Sequence, residues 1–325
     1  MKIRIATRRS PLALIQTRYI AARLQAEQPD LECELLKMST IGDRRQDVSL
    51  SQIGGKGLFV SELEQAVLDG RADLAVHSMK DLPAELAAGL SVSCIPERED
   101  PRDALVTMDG ARLDDLEAGC RIGTNSLRRT VQLRRQRGDV EYAMLRGSVN
   151  TRLEKLEGGQ YRAIVLACAG LRRLELFDRP LWPIPVTLSV PAVGQGALAV
   201  ESRDGDDATN ALLAKIEHAE TRACVGGERA FLAALGGDCH TPLGGHARLE
   251  DSGSRLRFEG VVGGVTGDQL VRVALERYTR DAELAQLAVE LGEEAAQQLL
   301  AEGAAELIRE ASERAAERDP RARPS

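Results

Sequence analysis

The chain runs strand, helix, strand, helix and then repeats that order, which leaves few ways to fold. Ile3 and Ile5 alternate with charged neighbours, the period-two mark of a short strand. Ser10-Pro11 reads as an N-cap followed by proline at the first helical position. Leu12, Ile15, Tyr19, Ala22 and Leu24 then recur at helical spacing. A strand over Cys33–Ser39, a helix from Ser61 and a strand over Asp73–His77 complete the first set. The second set has strands at Arg121–Thr124, Tyr142–Leu145 and Ala163–Cys168, with helices at Leu127–Arg137 and Thr151–Leu156, the first capped by Ser126. Such alternation predicts α/β architecture with mostly parallel sheets flanked by helices.

The two sets echo one another. IATRRSPLA at 5–13 and IGTNSLRRT at 122–130 both run strand, small residue, threonine, serine cap, helix. Two readings stay open: a pair of helix N-termini offered to one cleft, where N–H groups and the dipole favour anions, or two ordinary βα turns. Polar, proline-bracketed Pro96–Asp103 and four-proline Arg179–Pro191 read as links, and strand-like Gly196–Ser202 returns to the first lobe. We therefore expect lobe 1 at 1–98 and 196–217, lobe 2 at 99–195, and a third domain at 218–325. In that domain a helix over 219–237 precedes three alternating segments, His246–Leu249, Arg255–Val262 and Leu270–Arg277, which read as an antiparallel sheet. The Ala/Glu/Leu-rich stretch 281–318 reads as helix with one apolar stripe, and the tail DPRARPS as disordered.

Charge is unevenly placed. The 325 residues sum to −7, yet Cys120–Arg152 holds eight arginines against Asp139 and Glu141, a local charge of +6. Arginine presents a planar fork that fits carboxylate or phosphate, so the stretch suggests a site for a small polyanion. Arg128 and Arg129 stand nearest the anion-binding helix end, with Arg146 and Arg152 on a later turn able to reach the same cleft. Five arginines of one helix cannot share a face, so Arg134, Arg135 and Arg137 are expected on a solvated side. The acidic total and 3% aromatic content oppose a nucleic-acid binder. No stretch reads as a membrane span or a signal peptide, which points to the cytoplasm and to thiols at Cys33, Cys94, Cys120, Cys168, Cys224 and Cys239.

Three short motifs carry further chemistry. HSMKDLP at 77–83 puts Lys80 and Asp81 side by side after a strand, as a functional pair or a surface ion pair. Gly54-Gly55-Lys56-Gly57 lacks the first glycine and the Ser/Thr of a phosphate loop, leaving a lid that carries Lys56 or a plain surface loop. Cys239, in the loop Gly236–Thr241, is either an accessible nucleophile or an ordinary thiol. Cys239, His240 and His246 are too few ligands for a metal site.

Nine strings in order resemble the porphobilinogen deaminase (hydroxymethylbilane synthase) family: RIATRRSPLAL, GGKGLF, RADLAVHSMKDLP, EREDPRDAL, GTNSLRR, LRG-x-V-x-TR, LACAGLRRL, PAVGQGAL and ERAFLAALGGDCHTPLG. They span about residues 1 to 310. The resemblance implies two lobes like those of periplasmic binding proteins and a small α+β domain. It implies a cytoplasmic monomer that deaminates four porphobilinogen molecules and joins them into hydroxymethylbilane, on a dipyrromethane cofactor held by a thioether. By motif position the attachment residue is Cys239 and the catalytic carboxylate is Asp81. Lys80, Ser126, Arg128 and Arg129 fall to cofactor binding, and Arg8, Ser10, Arg146, Arg152 and Lys56 to substrate. The pattern departs at Gln52, Asn125, Ser148 and Asp238, the last putting an acid beside the thiol.

A non-catalytic two-lobed anion binder would explain the cleft and arginines but gives Cys239 no task.

Overall fold

The computed structural model describes residues 1–40, 60–236, 241–279 and 283–317. Lys56, Gln52, Asp238, Cys239 and the expected tail lie outside the described residues.

The first sheet has strands β1 (Lys2–Arg8), β2 (Glu32–Met38), β3 (Leu74–Ser78), β4 (Leu90–Cys94) and, from much later in the chain, β10 (Leu198–Arg203). Its order is β2-β1-β3-β10-β4. The second has β5 (Asp103–Val106), β6 (Arg121–Gly123), β7 (Glu141–Ala143), β8 (Ala163–Ala167) and β9 (Leu181–Pro183), in the order β7-β6-β8-β5-β9. The first three strands of each order run parallel, and the fourth is antiparallel to both neighbours. The two lobes therefore share one topology, with β1 matching β6 and β3 matching β8. The strings that echo in the sequence occupy matching places. Each reversed strand follows a crossing between the sheets: β5 after the first connector, β10 after the second. The sequence reading anticipated β10 but missed β4, β5 and β9, whose flanking prolines and charges resemble linker.

Helices cover both sheets. α1 (Pro11–Glu27) starts where expected: Ser10 Oγ accepts from Ala13 N at 3.3 Å and proline stands at N1. It buries Ile20 and Leu24 against Ile3, Ile5 and Val76 of the sheet. α2 (Ser61–Leu68) covers the other face with Leu63, Ala66 and Val67. On the second sheet lie α3 (Leu127–Gln136), α4 (Val149–Glu157) and α5 (Cys168–Arg173), and α6 (Asp207–Ala214) follows β10.

The third body packs α7 (Ala219–Leu235) and α8 (Leu284–Ala301) on an antiparallel sheet of β11 (Leu243–Glu250), β12 (Arg255–Gly263) and β13 (Leu270–Tyr278). Phe231 and Phe258 stack at 5.1 Å in its core. α7 and α8 touch backbone to backbone: a Cβ on Gly292 would stand 2.1 Å from Gly227 O. The C-terminal stretch is broken into two helices, with α9 (Ala304–Glu317) after Gly303 at φ 95°, a left-handed turn suited to glycine.

Candidate active site

The candidate residues gather at the carboxyl ends of the parallel strands, where α/β sheets bind ligands. In the first lobe β1 ends on Arg8, with the Ser10 cap following. β3 ends on Ser78 and leads into a single 3-10 turn, Met79–Asp81. Three contacts fix that turn. Met79 N donates to Ala197 O at 3.0 Å. Buried Met79 fills the space above Gly194, where a Cβ would lie 2.3 Å from Met79 Cγ. Arg229 of α7 donates to Pro83 O at 3.0 Å and Ala84 O at 2.7 Å. The exposed Asp81 is thus carried on a rigid base.

In the second lobe Ser126 Oγ caps α3, accepting from Arg129 N at 3.4 Å. Arg128 and Arg129 share one buried carboxylate, Asp103, the first residue of β5. Arg128 reaches it at 2.8 and 3.1 Å, and Arg129 at 2.9 Å through Nε and 2.7 Å through Nη2. Burial opposes the charge on Asp103, but the two guanidiniums outweigh it and hold the carboxyl well below the usual range. Two cations on one anion leave a net positive cluster. Arg128 also donates to Val190 O at 2.7 Å and does not line the cleft cavity, whereas the equally buried Arg129 does.

The lobes are joined through Gln195 on the second connector. Its Nε2 donates to Asp103 Oδ1 at 2.9 Å, and its Oε1 accepts from Lys80 Nζ at 3.4 Å. Lys80 keeps exposed surface yet stands among the cleft walls. That crowding, and next the Arg129 charge, pull its ammonium down to about 8; the open surface tempers the effect without changing its direction. Arg152 on α4 is half-buried and donates to Gly147 O at 2.9 Å. Burial, then Arg129 and Arg146, lower it to about 10, and it has no carboxylate partner among the described residues.

Two adjoining cavities share Leu12, Gln16 and Ser78. One, of about 110 Å³, is lined by Lys80, Arg129, Arg152 and Arg173 and by no described acid. The other, of about 60 Å³, carries Arg8, Ser10, His77 and Asp81, its single described acid. Ser126, Arg128 and Arg146 line neither. Sequence reasoning did not single out Arg173, Gln16 or Gln195. Arg173 had a signal, since LACAGLRRL follows β8 as HSMKDLP follows β3.

The remaining arginines of α3 correct an expectation. Arg137 does not face solvent: it donates to Leu113 O and Leu116 O, both at 2.7 Å, and pairs with Asp139. Arg134 donates to Thr266 O at 2.9 Å in the third body, while Arg135 is exposed. Long side chains can reach backbone carbonyls that helical spacing does not reveal.

Two family models cover this chain. Porphobilinogen deaminase, dipyromethane cofactor binding domain, matches residues 3–211, and porphobilinogen deaminase, C-terminal domain, matches residues 222–301. The chain belongs to the porphobilinogen deaminase family. It is a transferase of tetrapyrrole biosynthesis that acts on porphobilinogen, makes hydroxymethylbilane and uses a dipyrromethane cofactor. Solved structures with a looser likeness include the VFT2 domain of Bordetella pertussis BvgS, at 18% identity over 66% of this chain and 86% of that one with a TM-score of 0.39. The probable amino-acid ABC transporter extracellular-binding protein ytmK of Bacillus subtilis gives 13% identity over 66% and 90%, with a TM-score of 0.41.

The cleft suits the cofactor. Each pyrrole ring of dipyrromethane carries an acetate and a propionate, and unpaired carboxylates are costly away from water. The acid-free cavity offers four cations to meet them. No described helix is long and apolar enough to cross a membrane.

Proposed function

We propose that Cys239 anchors the dipyrromethane, that the acid-free cavity holds its carboxylates, and that Asp81 is the catalytic carboxylate beside it. The observation that carries this reading is the contrast between the two joined cavities, one with four cations and no acid, the other with Asp81. When bound, the cofactor would supply the pyrrole carbon to which porphobilinogen is joined.

Lys80, Arg129 and Arg152 hold carboxylates, with Arg173 added to the set and Arg146 near Arg152. Arg128 serves by fixing Asp103, and through it the direction of Arg129. Ser10 and Ser126 accept cap bonds through their oxygens, so their hydroxyl hydrogens are free to be donated to a carboxylate. Arg8 binds substrate next to Asp81, and Lys56 belongs to a segment that gates exit of product.

Asp81 orients pyrrole N–H groups and stabilises the positive charge that develops on the substrate carbon as ammonia departs. A fixed carboxylate at developing charge needs no reorganisation during the reaction. The rigid turn beneath Asp81 supports this role.

Thiol chemistry supports Cys239 as the anchor. Burial raises all five described thiols, with Cys94, Cys168 and Cys224 pushed up to about 12, so they are poor nucleophiles. The reading includes a cytoplasmic monomer with the lobe boundaries given above, and it takes the arginines to serve a small molecule rather than a nucleic acid.

The decisive measurement is the intact mass of denatured protein, followed by mapping of any adduct. A two-pyrrole adduct on Cys239 is expected. An unmodified chain from cells able to make porphobilinogen would refute the anchor.

A further inference from the structure

The motif that gives Lys80 and Asp81 to the cleft begins with a residue that has no part in the roles above. His77, on β3, is 5% exposed and lines the same cavity as Asp81 and Arg8. Its Nε2 lies 3.2 Å from Oε2 of Glu201 on the adjoining β10, a fully buried side chain. Glu201 Oε1 is buried and has no hydrogen-bond partner among the described residues. Glu64 of α2 faces the pair, and burial together with the Glu201 charge raises its carboxyl. The charged and titratable groups around His77 are therefore Glu201 from β10, Glu64 from α2, Arg8 from β1 and Asp81 from the turn.

An ionised carboxylate only accepts hydrogen bonds. A carboxylate acceptor at Nε2 favours the tautomer with the imidazole proton there and the lone pair on Nδ1, which has no partner among the described residues. A buried carboxylate oxygen without a donor works against stability. A buried carboxylate–imidazole pair with one oxygen left unsatisfied, kept at the wall of a reactive cavity, has the character of a working group rather than a packing element.

We propose that His77, its tautomer set by Glu201, accepts the proton released at each porphobilinogen addition. The proposal rests on the cavity beside Asp81 being the reaction site. Porphobilinogen enters with its aminomethyl group as the ammonium. The C–N bond breaks, and its electron pair leaves on ammonia. The free ring carbon at the chain end forms the new C–C bond and gives up its proton. That proton passes to Nδ1, directly or through one water, and then to solvent, which restores the neutral ring.

The test uses holoenzyme whose adduct mass has been verified. His77→Gln is expected to lower kcat about 100-fold while leaving KM nearly unchanged. It should also enlarge the isotope effect seen with porphobilinogen deuterated at the free ring carbon, because proton removal becomes limiting; a purely structural role would not move that ratio. With only four histidines in the chain, labelled-histidine NMR of the wild type should find the His77 proton on Nε2. A proton on Nδ1 overturns the proposal, even if His77→Gln fails to fold. So does a His77→Gln holoenzyme with unchanged rate and isotope effect, and in that case the reading of the cleft stands. A wild type that carries the adduct but forms no bilane overturns both.

Discussion

Arg98 and Glu228 clasp each other in a forked ion pair between the first connector and α7, with Nη1 at 2.6 Å from Oε1 and Nη2 at 3.1 Å from Oε2. Glu228 also accepts from Gly194 N at 2.7 Å on the second connector and from Ala247 N at 2.9 Å on β11. One carboxylate thus ties both crossings to the third body. Burial opposes its charge, but Arg98 and the His246 hydrogen bond outweigh it and hold it at about 2. His246 is pushed down by burial, so it stays neutral and donates from Nδ1.

Removing one partner of this pair leaves the other charge buried alone. Glu228→Gln is expected to cost about 3–5 kcal/mol, read as a fall in the thermal midpoint. The pH dependence has a definite sign. A carboxyl depressed in the folded state stabilises above its unfolded pKa, and that stability is lost as pH falls. Wild type should therefore weaken from about pH 5 toward pH 2, with a flatter acid profile in the variant. Equal profiles would remove Glu228 as the cause.

Arg128 and Arg152 should separate stability from binding. Arg128→Gln withdraws a buried partner from Asp103 and is expected to destabilise by about 3 kcal/mol. Arg152 faces only like charges among its described neighbours, so Arg152→Gln should leave the midpoint unchanged or slightly raised. It should still raise KM for porphobilinogen about tenfold, the loss of one charge-assisted contact. A large fall in the midpoint of Arg152→Gln would contradict this division.

Lys80 sets an alkaline limit. Crowding among the cleft walls pulls its ammonium down to about 8, so the cleft should lose a cation as pH rises through that value, and KM should climb. Stability moves the other way. The folded pKa lies below the unfolded value of about 10.4, so the unfolded chain binds more protons between the two and folding becomes more favourable there. Lys80→Arg should flatten the KM profile up to pH 9.

How much of this was legible in the sequence depended on locality. Ser10 and Ser126 announced their caps because a cap is a contact within three residues. Asp103 did not announce itself: EREDPRD reads as a solvated link, and only long-range pairing with Ala167 and with Arg128 turns it into strand and anchor. Arg137 was misjudged for the same reason, since its carbonyl partners lie 21 and 24 positions away. The Gly227–Gly292 contact left no trace in a stretch whose apolar stripe marks a buried face but not the glycine that lets two backbones touch. The chemistry was legible through motif order, while the supporting network around Gln195 and Glu228 was not.

Asp81→Asn is expected to retain the two-pyrrole adduct by intact mass yet lose at least about 100-fold in turnover. Because the turn is held by Met79, Gly194 and Arg229 rather than by Asp81 itself, the midpoint should hardly change. Near-normal turnover would remove Asp81 from the chemistry.

The reversed strand in each sheet bears on how the molecule can be built. Among the described residues β4 pairs only with β10, which the ribosome delivers about a hundred residues later. A nascent chain ending before Leu198 therefore presents β3 and β4 with a slot between them and unsatisfied ladder groups on both sides. The first sheet cannot be cut out as a contiguous fragment, whereas all five strands of the second come from the unbroken stretch 103–183. Completion of the first sheet must wait for the second connector, so the first half of the chain is the part exposed to mispairing during synthesis.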